Sequence, residues 1–489
     1  MIARSLHPGA RLALALSIAL LSIAPQLSAQ TLERDKAPKV GKAPSLKVPA
    51  WTKTKLANGA ELIVVEKHDL PLVALNIDFV GGASNYEPAD KLGVAALAAQ
   101  MLSEGTKTKT ADRLSDAQQM LGTSIFANVA GESGTIRFTS LKDKFEPAMT
   151  LLADMLLNST FPDSAIERNR ARTLVGLTQA KDQPNSIAAN VFSKVVYGDE
   201  HPYGRVVSEK TVTAITRGDV TSFANAYFRP GRAVITVTGD IDAKTARNVV
   251  EKTLAAWPAG GERPTFAYGP VPAPKARTIY LIDKPKAAQS VFALGEPGPP
   301  RSTPDYYAIQ VMNHLLGGMF QSRLNHDIRE VKGYSYGVNS GFAYGRGPGA
   351  FRAGGGIVSA KSDSALIGFM THFKGVQGEM PFTDDELTVG KESLIQSLPG
   401  RFATVNGIAA AISSIYTQDL PETYFKDYAA KIDAVTRDDL VRAAKKYIDV
   451  DHMNLVIVGD RASIEGALKA TGIAPIQILD VEGRPVLVP

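Results

Sequence analysis

One segment of the chain recurs after 220 residues, so that Gly239-Asp240 returns as Gly459-Asp460, and this repeat limits the possible folds more than any other feature. Each copy places an amphipathic helical pattern before an apolar strand pattern, first at 233–239 and again at 454–459. Self-similarity at one fixed spacing is the signature of a duplicated unit. The sequence therefore predicts two homologous domains. Further identities at this spacing are Thr216 and Thr436, Arg217 and Arg437, Asp219 and Asp439, and Tyr227 and Tyr447.

Both halves mix strand and helix patterns, which indicates an α+β fold. Residues 56–66 predict a β-hairpin with Asn58-Gly59 at its turn, and residues 72–80 alternate as a strand. Helical spacing of apolar residues follows at 92–102 and returns at 145–157. Because a sheet must bury its apolar face against another layer, we expect two domains, each with a mostly antiparallel sheet covered by helices.

The chain begins with a pattern typical of export. Arg4 and Arg11 precede an apolar run at 12–24, and the small pair Ser28-Ala29 follows, which predicts a cleaved signal peptide over 1–29. The alternative is a retained membrane anchor, but the run is short for a span of about 20 residues. After it we expect an extended arm at 30–50, a first domain at 51–262, a linker at 263–275 and a second domain at 276–489.

Composition narrows the class of protein. The formal charge is +5 over 489 residues, and no basic stripe alternates with aromatic residues, so the sequence does not indicate a nucleic-acid partner. The chain has no cysteine, and therefore neither a disulfide nor a lipid-modified cysteine. For an exported protein this pattern favours the bacterial periplasm, with no membrane anchor after signal cleavage.

Residues 93–106, with the sequence GVAALAAQMLSEGT, have the frame of a zinc-binding helix without its ligands. The stretch resembles the inverted motif H-x-x-E-H of the pitrilysin/insulinase peptidases. In that family the two His, at i and i+4 on one helix face, bind zinc, and the Glu is the general base. The first His falls on Ala96, the Glu on Ala99 and the second His on Gln100. The resemblance therefore implies a peptidase scaffold without its own catalytic chemistry.

The position of the third zinc ligand also lacks a carboxylate. The family takes this ligand from a Glu on a later helix, which falls near Gly176, and no Asp or Glu lies between Glu167 and Asp182. A catalytic zinc site needs three protein ligands and an open position. We therefore expect this chain to bind no metal. A metal site assembled from distant segments is the alternative, although no two His residues after position 29 lie three or four residues apart.

The resemblance extends over nearly all of the chain after position 29 and is strongest to the short two-domain, processing-peptidase-like branch of the family. It implies that the two domains form one half of a clamshell. The motifs that carry it, in order, are Asn58-Gly59, Gly81-Gly82-Ala83-Ser84, His201-Pro202-Tyr203-Gly204, Tyr227-Phe228-Arg229-Pro230, Ser322-Arg323-Leu324, Ile328-Arg329-Glu330 and Lys332-Gly333-Tyr334-Ser335-Tyr336.

The second half retains an Arg and a Tyr seven positions apart, Arg329 and Tyr336, with Gly333 between them. The resemblance implies that this pair faces the zinc helix across an enclosed chamber. A guanidinium and a phenol both donate hydrogen bonds, so they can orient a peptide carbonyl and stabilise the oxyanion formed in hydrolysis. The alternative is that Arg329 pairs with a nearby acid such as Asp327 while Tyr336 packs on a strand.

Two further segments are candidates for substrate contact. Gly317-Gly318 predicts a tight turn beside the Arg and Tyr pair, where a loop could grip substrate. The family's first-half edge strand often carries Gly-x-x-Asn-Ala, to which a peptide adds as a further strand. Here Phe126 stands in place of the Asn before Ala127, and an ordinary apolar strand explains this stretch equally well.

The resemblance thus implies a proteolytically inactive subunit of a heterodimeric periplasmic zinc metallopeptidase. A homologous partner would hold Zn²⁺, and this chain would close the peptide chamber and present Arg329 and Tyr336 in trans. The alternative is a non-hydrolytic peptide-binding or scaffolding protein with the same fold. A third hypothesis, a self-sufficient peptidase with a relocated metal site, requires bound metal.

Overall fold

The computed structural model describes residues 46–263 and 265–486, so the expected signal peptide at 1–29 and most of the arm at 30–50 lie outside it. The first half of the chain forms a six-stranded sheet in the order β1-β2-β6-β3-β5-β4. Its strands are β1 (Thr52–Lys55), β2 (Glu61–Glu66), β3 (Leu72–Val80), β4 (Phe126–Ala130), β5 (Ser133–Leu141) and β6 (Ala233–Gly239).

The second half forms another six-stranded sheet, in the order β12-β7-β11-β8-β10-β9. Strand β2 runs parallel to β6, and β7 runs parallel to both β11 and β12, while the other neighbouring strands are antiparallel. The expected mostly antiparallel α+β fold is therefore confirmed. The strands of this sheet are β7 (Thr278–Asp283), β8 (Gln289–Pro297), β9 (Ser335–Phe342), β10 (Ala350–Val358), β11 (Asn454–Gly459) and β12 (Ile476–Leu479).

Helices cover both sheets, and three further segments are widened helical turns, at His314–Gly318, His326–Val331 and Gly375–Glu379. The helices are α1 (Ala83–Tyr86), α2 (Val94–Met101), α3 (Ala111–Met120), α4 (Phe145–Asn158), α5 (Asp163–Ala180), α6 (Pro184–Tyr197), α7 (Glu209–Ala214), α8 (Arg217–Tyr227), α9 (Ala243–Thr253), α10 (Tyr306–Asn313), α11 (Arg323–Asn325), α12 (Ser362–Lys374), α13 (Asp384–Arg401), α14 (Val405–Thr417), α15 (Tyr424–Asp433), α16 (Arg437–Tyr447) and α17 (Arg461–Ala470).

The two halves share one topology. The strand order β2-β6-β3-β5-β4 corresponds one to one with β7-β11-β8-β10-β9, so β4 and β9 are equivalent edge strands. The repeated helices α8 and α16 also begin alike, because the Thr216 and Thr436 side chains accept hydrogen bonds from the N–H groups of Asp219 and Asp439. Such capping boxes satisfy donors that a helix start would leave free. The two sheets therefore have the same strand arrangement.

One helix of each half packs on the sheet of the other half. Helix α6 of the first half packs on β8 and β11, and α14 of the second half packs on β3 and β6. The fully buried Ile187 and Val191 anchor α6, and burial of each apolar side chain is worth about 1.5–3 kcal/mol. On the other side, the Ser413 hydroxyl of α14 donates to Asp78 Oδ2 of β3 at 2.5 Å. The exchange couples the halves through buried contacts.

Several local predictions are confirmed. The hairpin turn lies at Gly59, whose φ of 98° favours glycine, although the first strand of the hairpin, β1, precedes the predicted range 56–66. The strand predicted at 72–80 is β3. The helix predicted at 92–102 is α2, and the one predicted at 145–157 is α4. In the described part of the chain, no helix combines the length and the apolar character that crossing a membrane requires.

Candidate functional site

The helix that resembles the zinc helix is α2, and it is held as a packing element. The Glu87 carboxylate accepts the N–H groups of Gly93 at 2.9 Å and Ala95 at 2.8 Å, which caps the start of α2. Ala99, at the position of the general base, is buried in the first-half core. Ala96 is half-buried and lines a pocket of about 230 Å³, while Gln100 is exposed. The face that would carry the ligands therefore offers a methyl group and an amide.

The third ligand position lies on α5, a helix that packs against α2. Asn169 Nδ2 of α5 donates to Glu104 Oε1 just beyond α2, at 2.9 Å. Gly176 is exposed on α5, and a Cβ at this position would meet open space. A methyl group, an amide and a bare glycine do not fit a zinc ion, which takes His, Cys or carboxylate ligands. Within 46–263 and 265–486, no group of three His, Asp or Glu side chains could hold a metal ion elsewhere.

Arg329 lies in the widened turn His326–Val331, next to the edge of the second sheet. Its Nη1 donates to the carboxylate of its neighbour Glu330, and its Cζ lies 4.6 Å from the centroid of the Phe320 ring. The alternative, an ion pair between Arg329 and a nearby acid, is therefore present, but the acid is Glu330 and not the suggested Asp327, which accepts Lys332 Nζ at 2.7 Å. The guanidinium is thus held between a carboxylate and an aromatic face, both near the protein surface.

Asp327 is part of a separate cluster beneath this turn. Its Oδ2 also lies 3.2 Å from His372 Nε2 on α12. Burial alone would raise the pKa of Asp327, but hydrogen bonds from Lys332 and His372 hold that pKa below its usual value. Burial lowers the pKa of His372. The cluster therefore ties the Arg329 turn to α12 and leaves Arg329 outside it.

Tyr336 lies on the edge strand β9 and is 90% exposed. The expected alternative, a tyrosine packed on the strand, is therefore wrong. The register of β9 against β10 shifts between the pairs Gly355–Val338 and Ile357–Ser335, at the position of Tyr336. Such bulges re-aim side chains at sheet edges. Gly333, with φ of 65°, lies in the short segment between the turn that holds Arg329 and the strand β9 that holds Tyr336.

Gly317 and Gly318 line a groove of about 780 Å³ beside β9 and β10. The predicted tight turn is wrong, because these glycines end a widened helical turn in which Met319 N donates to His314 O at 3.1 Å. Gly317 is buried so closely against β9 that a Cβ would lie 2.3 Å from Ser340 Oγ. The glycines therefore allow close backbone packing and open the groove.

Sequence reasoning missed two contributors to this region. Phe320, which is 67% exposed, carries the guanidinium of Arg329 on its ring. Phe192 of α6 reaches the groove from the first half of the chain. An aromatic residue two positions after the glycine pair is the sequence signal for Phe320, and none marks Phe192.

Phe126 and Ala127 open the edge strand β4 of the first sheet. Phe126 is exposed, and the Arg137 guanidinium lies 5.0 Å from its ring centroid. An edge strand has free backbone groups that a peptide could pair with. Both sheets therefore offer an edge, but the Arg and Tyr donors accompany only β9.

The comparisons with known proteins agree with this architecture. Residues 63–204 match the family model for insulinase (peptidase family M16), and residues 214–394 match the model for the peptidase M16 inactive domain. An uncharacterized zinc protease of Bacillus subtilis, YmxG, is 27% identical over 285 residues, which are 58% of this chain and 68% of that protein. The alignments with the curated relatives cover between 54% and 68% of their lengths.

Solved structures give the same result. A peptidase M16 inactive domain from Pseudomonas fluorescens superposes with a TM-score of 0.77 and 28% identity, and covers 84% of this chain and 98% of its own. The periplasmic protease PqqL from Escherichia coli shares the fold, with a TM-score of 0.70 and 15% identity over 86% of this chain and 50% of its own. The chain belongs to the pitrilysin/insulinase family of peptidases, family M16.

Proposed function

We propose that the chain is a proteolytically inactive subunit of a heterodimeric periplasmic zinc metallopeptidase. A zinc-bearing homologous subunit holds the metal and the general base. This chain closes the peptide chamber and contributes Arg329 and Tyr336 in trans. Peptides or partly unfolded segments are the substrate class.

The observation that carries the proposal is the asymmetry between the halves. The positions of the metal ligands and of the general base hold Ala96, Ala99, Gln100 and Gly176, none of which can do that chemistry. By contrast, Tyr336 is 90% exposed at a sheet edge. A long phenol side chain with most of its surface in solvent is available to a ligand or a partner, since nothing in its own fold buries it.

The chemistry assigned to the pair follows from its donors. The guanidinium of Arg329 has five N–H groups, of which the carboxylate of Glu330 occupies only part. A peptide carbonyl placed beside the pair would accept from Arg329 and from the Tyr336 hydroxyl. Donors fixed in advance on a developing oxyanion lower the barrier to acyl transfer. The groove at Gly317 and Gly318 and the edge strand β9 supply an extended surface along which the peptide lies.

The proposed location rests on two observations. The sequence pattern at 1–29 is that of a signal peptide, and the chain contains no cysteine. PqqL, which shares the fold, is described as a periplasmic protease.

Co-purification tests the proposal. The tagged full chain is isolated from its native host, and its partners and zinc content are measured. We expect a second family member that carries H-x-x-E-H, one zinc per heterodimer, and no zinc in this chain alone. A chain that purifies alone and forms no complex with a zinc-bearing relative contradicts the proposal, and peptide binding by that lone chain would instead favour the scaffolding function.

A further inference from the structure

A second polar cavity, of about 950 Å³, lies between the first sheet and the second half of the chain. Strands β3 and β5 and helix α14 form one wall, and the other contains a tyrosine cluster at the start of α10 and α15. Neither Arg329 nor Tyr336 lines it. The cavity is thus a site separate from the one assigned above.

The acidic groups of this cavity are already satisfied by the protein. Asp78 accepts the Ser413 hydroxyl, and the Asp419 carboxylate pairs with the guanidinium of Arg346. Glu132 accepts the hydroxyls of Tyr203 and Tyr268, and its second oxygen accepts the Arg346 N–H at 2.7 Å. Because these carboxylates already have donors, they have little capacity left for a cationic ligand.

By contrast, three cations that line the cavity have no ionic partner in the part of the chain that the structure describes. Among residues 46–263 and 265–486, no carboxylate lies within ion-pair distance of Arg137, Arg301 or Lys431. Each rests on an aromatic ring instead: the Arg301 Cζ lies 3.5 Å from the ring centroid of Tyr306, and the Lys431 Nζ lies 5.3 Å from that of Tyr307. A ring face attracts a cation but leaves its donors free. The cavity therefore contains three cations that no carboxylate of the described residues pairs with directly.

Arg301 and Lys431 lie on neighbouring rings of the tyrosine cluster. The rings of Tyr306 and Tyr307, which carry Arg301 and Lys431, lie 5.3 Å apart between centroids. The backbone N–H of Arg301 donates to Gly345 O at 2.8 Å, which fixes the residue at the cavity wall. Its Nη2 is shielded from solvent and has no hydrogen-bond partner in the described part of the chain. A buried donor without an acceptor is unfavourable, so the protein's described groups do not saturate this guanidinium.

We propose that this cavity binds the carboxylate of a peptide, with Arg301 and Lys431 as its charged donors and the tyrosine rings as its walls. A carboxylate accepts from a guanidinium at two oxygens and also satisfies an ammonium group. The inference takes peptides as the ligand class from the proposed function. It concerns the chain alone, so its failure leaves the test of the heterodimer unaffected.

Fluorescence anisotropy on the purified chain tests the inference. The probe is a fluorescein-labelled decapeptide of Ala and Ser with a free terminal carboxylate, compared with the same peptide as an amide. We expect the free acid to bind about tenfold more tightly, as for a charge-assisted hydrogen bond. Arg301→Gln and Lys431→Gln should each reduce this preference. Lys431 is exposed, so its variant keeps the fold even if removal of the Arg301 guanidinium disturbs the cluster.

Lys53→Gln is the matched control, because Lys53 also rests on a tyrosine, Tyr416, at 4.4 Å, but lies outside this cavity. It should leave the preference unchanged. Two amidated peptides, one with a central Glu and one with Gln, distinguish side-chain from terminal carboxylates as the source, and either source supports the site. Equal affinity for acid, amide, Glu and Gln peptides overturns the inference. The inference is also overturned if Lys53→Gln lowers the preference for the free acid as much as Lys431→Gln does.

Discussion

The guanidinium of Arg329 lies over the ring of Phe320, with its Cζ 4.6 Å from the ring centroid, although both residues are near the surface. Phe320 follows the widened turn that ends at Gly318, and Arg329 lies in the next one. The contact therefore links the groove to the proposed substrate-orienting pair. A cation held on a ring loses little further freedom when it meets a substrate carbonyl.

Replacing Phe320 by Ala should loosen Arg329 without unfolding the protein. An exposed cation–π contact is worth about 0.5–1 kcal/mol, so we expect kcat/KM of the reconstituted heterodimer to fall by about two- to fivefold. Steady-state peptidase kinetics measure this. Met120→Ala, which removes an exposed apolar side chain from α3, serves as control and should have no effect. An unchanged rate in Phe320→Ala would show that the ring does not position Arg329.

The two adjacent glycines of the groove should differ sharply on substitution. In Gly317→Ala the new Cβ would lie 2.6 Å from the backbone N of Ser340, so β9 must shift, and we expect a loss of about 1–3 kcal/mol. In Gly318→Ala the nearest atom, Asn313 O, lies 3.1 Å away, and the loss should be smaller. Urea unfolding of both variants measures the difference. Equal losses would contradict the close packing of Gly317 on β9.

Gly176→Ala should stabilise the chain. Gly176 lies inside α5, and a Cβ there meets open space, so Ala gains helix propensity of about 0.5–1 kcal/mol without a clash. Gly93→Ala is the contrasting variant. Gly93 lies directly before α2 with φ of 101°, which alanine rarely adopts, so this variant should be less stable than wild type. Thermal unfolding midpoints report both. A lower unfolding midpoint in Gly176→Ala would contradict the expectation that a Cβ at this position meets only open space.

Glu296 should make stability depend on pH. Burial on β8 raises its pKa to about 8, although its carboxylate accepts the Asp449 N–H at 2.5 Å. The folded protein therefore keeps a proton that the unfolded chain loses above its ordinary pKa of 4.5, and stability falls as pH rises from that value to about 8. Each pH unit in this window costs up to about 1.4 kcal/mol.

Glu296→Gln should flatten this decline, because the amide oxygen can still accept the Asp449 N–H. Chemical unfolding at pH 5, 6, 7 and 8 (~1-unit steps across the window) measures the slope for wild type and variant. Glu200→Gln, at an exposed position, is the control and should keep the wild-type slope. A variant that declines as steeply as wild type would assign the pH dependence to other groups.

Local sequence patterns predicted several of the strands and helices but not which sheet each helix covers. The apolar run at 233–239 and the alternation at 72–80 specify β6 and β3 directly, since a buried strand needs such side chains. Helices α6 and α14 are not among the elements predicted from the sequence. The apolar face of each helix does not indicate which sheet it covers. Only the structure shows that each packs on the sheet of the other half.

The candidate site was predictable only in part for the same reason. Motif spacing identified Ala96, Gln100, Arg329 and Tyr336, because these residues keep a fixed place within one helix or one turn. Their exposure and partners depend on contacts between distant segments. The contact between Arg301 and the tyrosine cluster likewise joins residues from a loop and two helices, and no local pattern reports it.

The most direct test of the account is the effect of Arg329 on hydrolysis by the reconstituted complex. The chain is mixed with its zinc-bearing partner, and kcat/KM for a quenched fluorescent peptide is measured for wild type, Arg329→Ala and Tyr336→Phe. Arg247→Ala, which removes an exposed Arg that is also paired with a carboxylate, is the control. The account predicts a fall of roughly 10²-fold for Arg329→Ala, a smaller fall for Tyr336→Phe, unchanged zinc content and no effect of the control. Full activity in both site variants would contradict it.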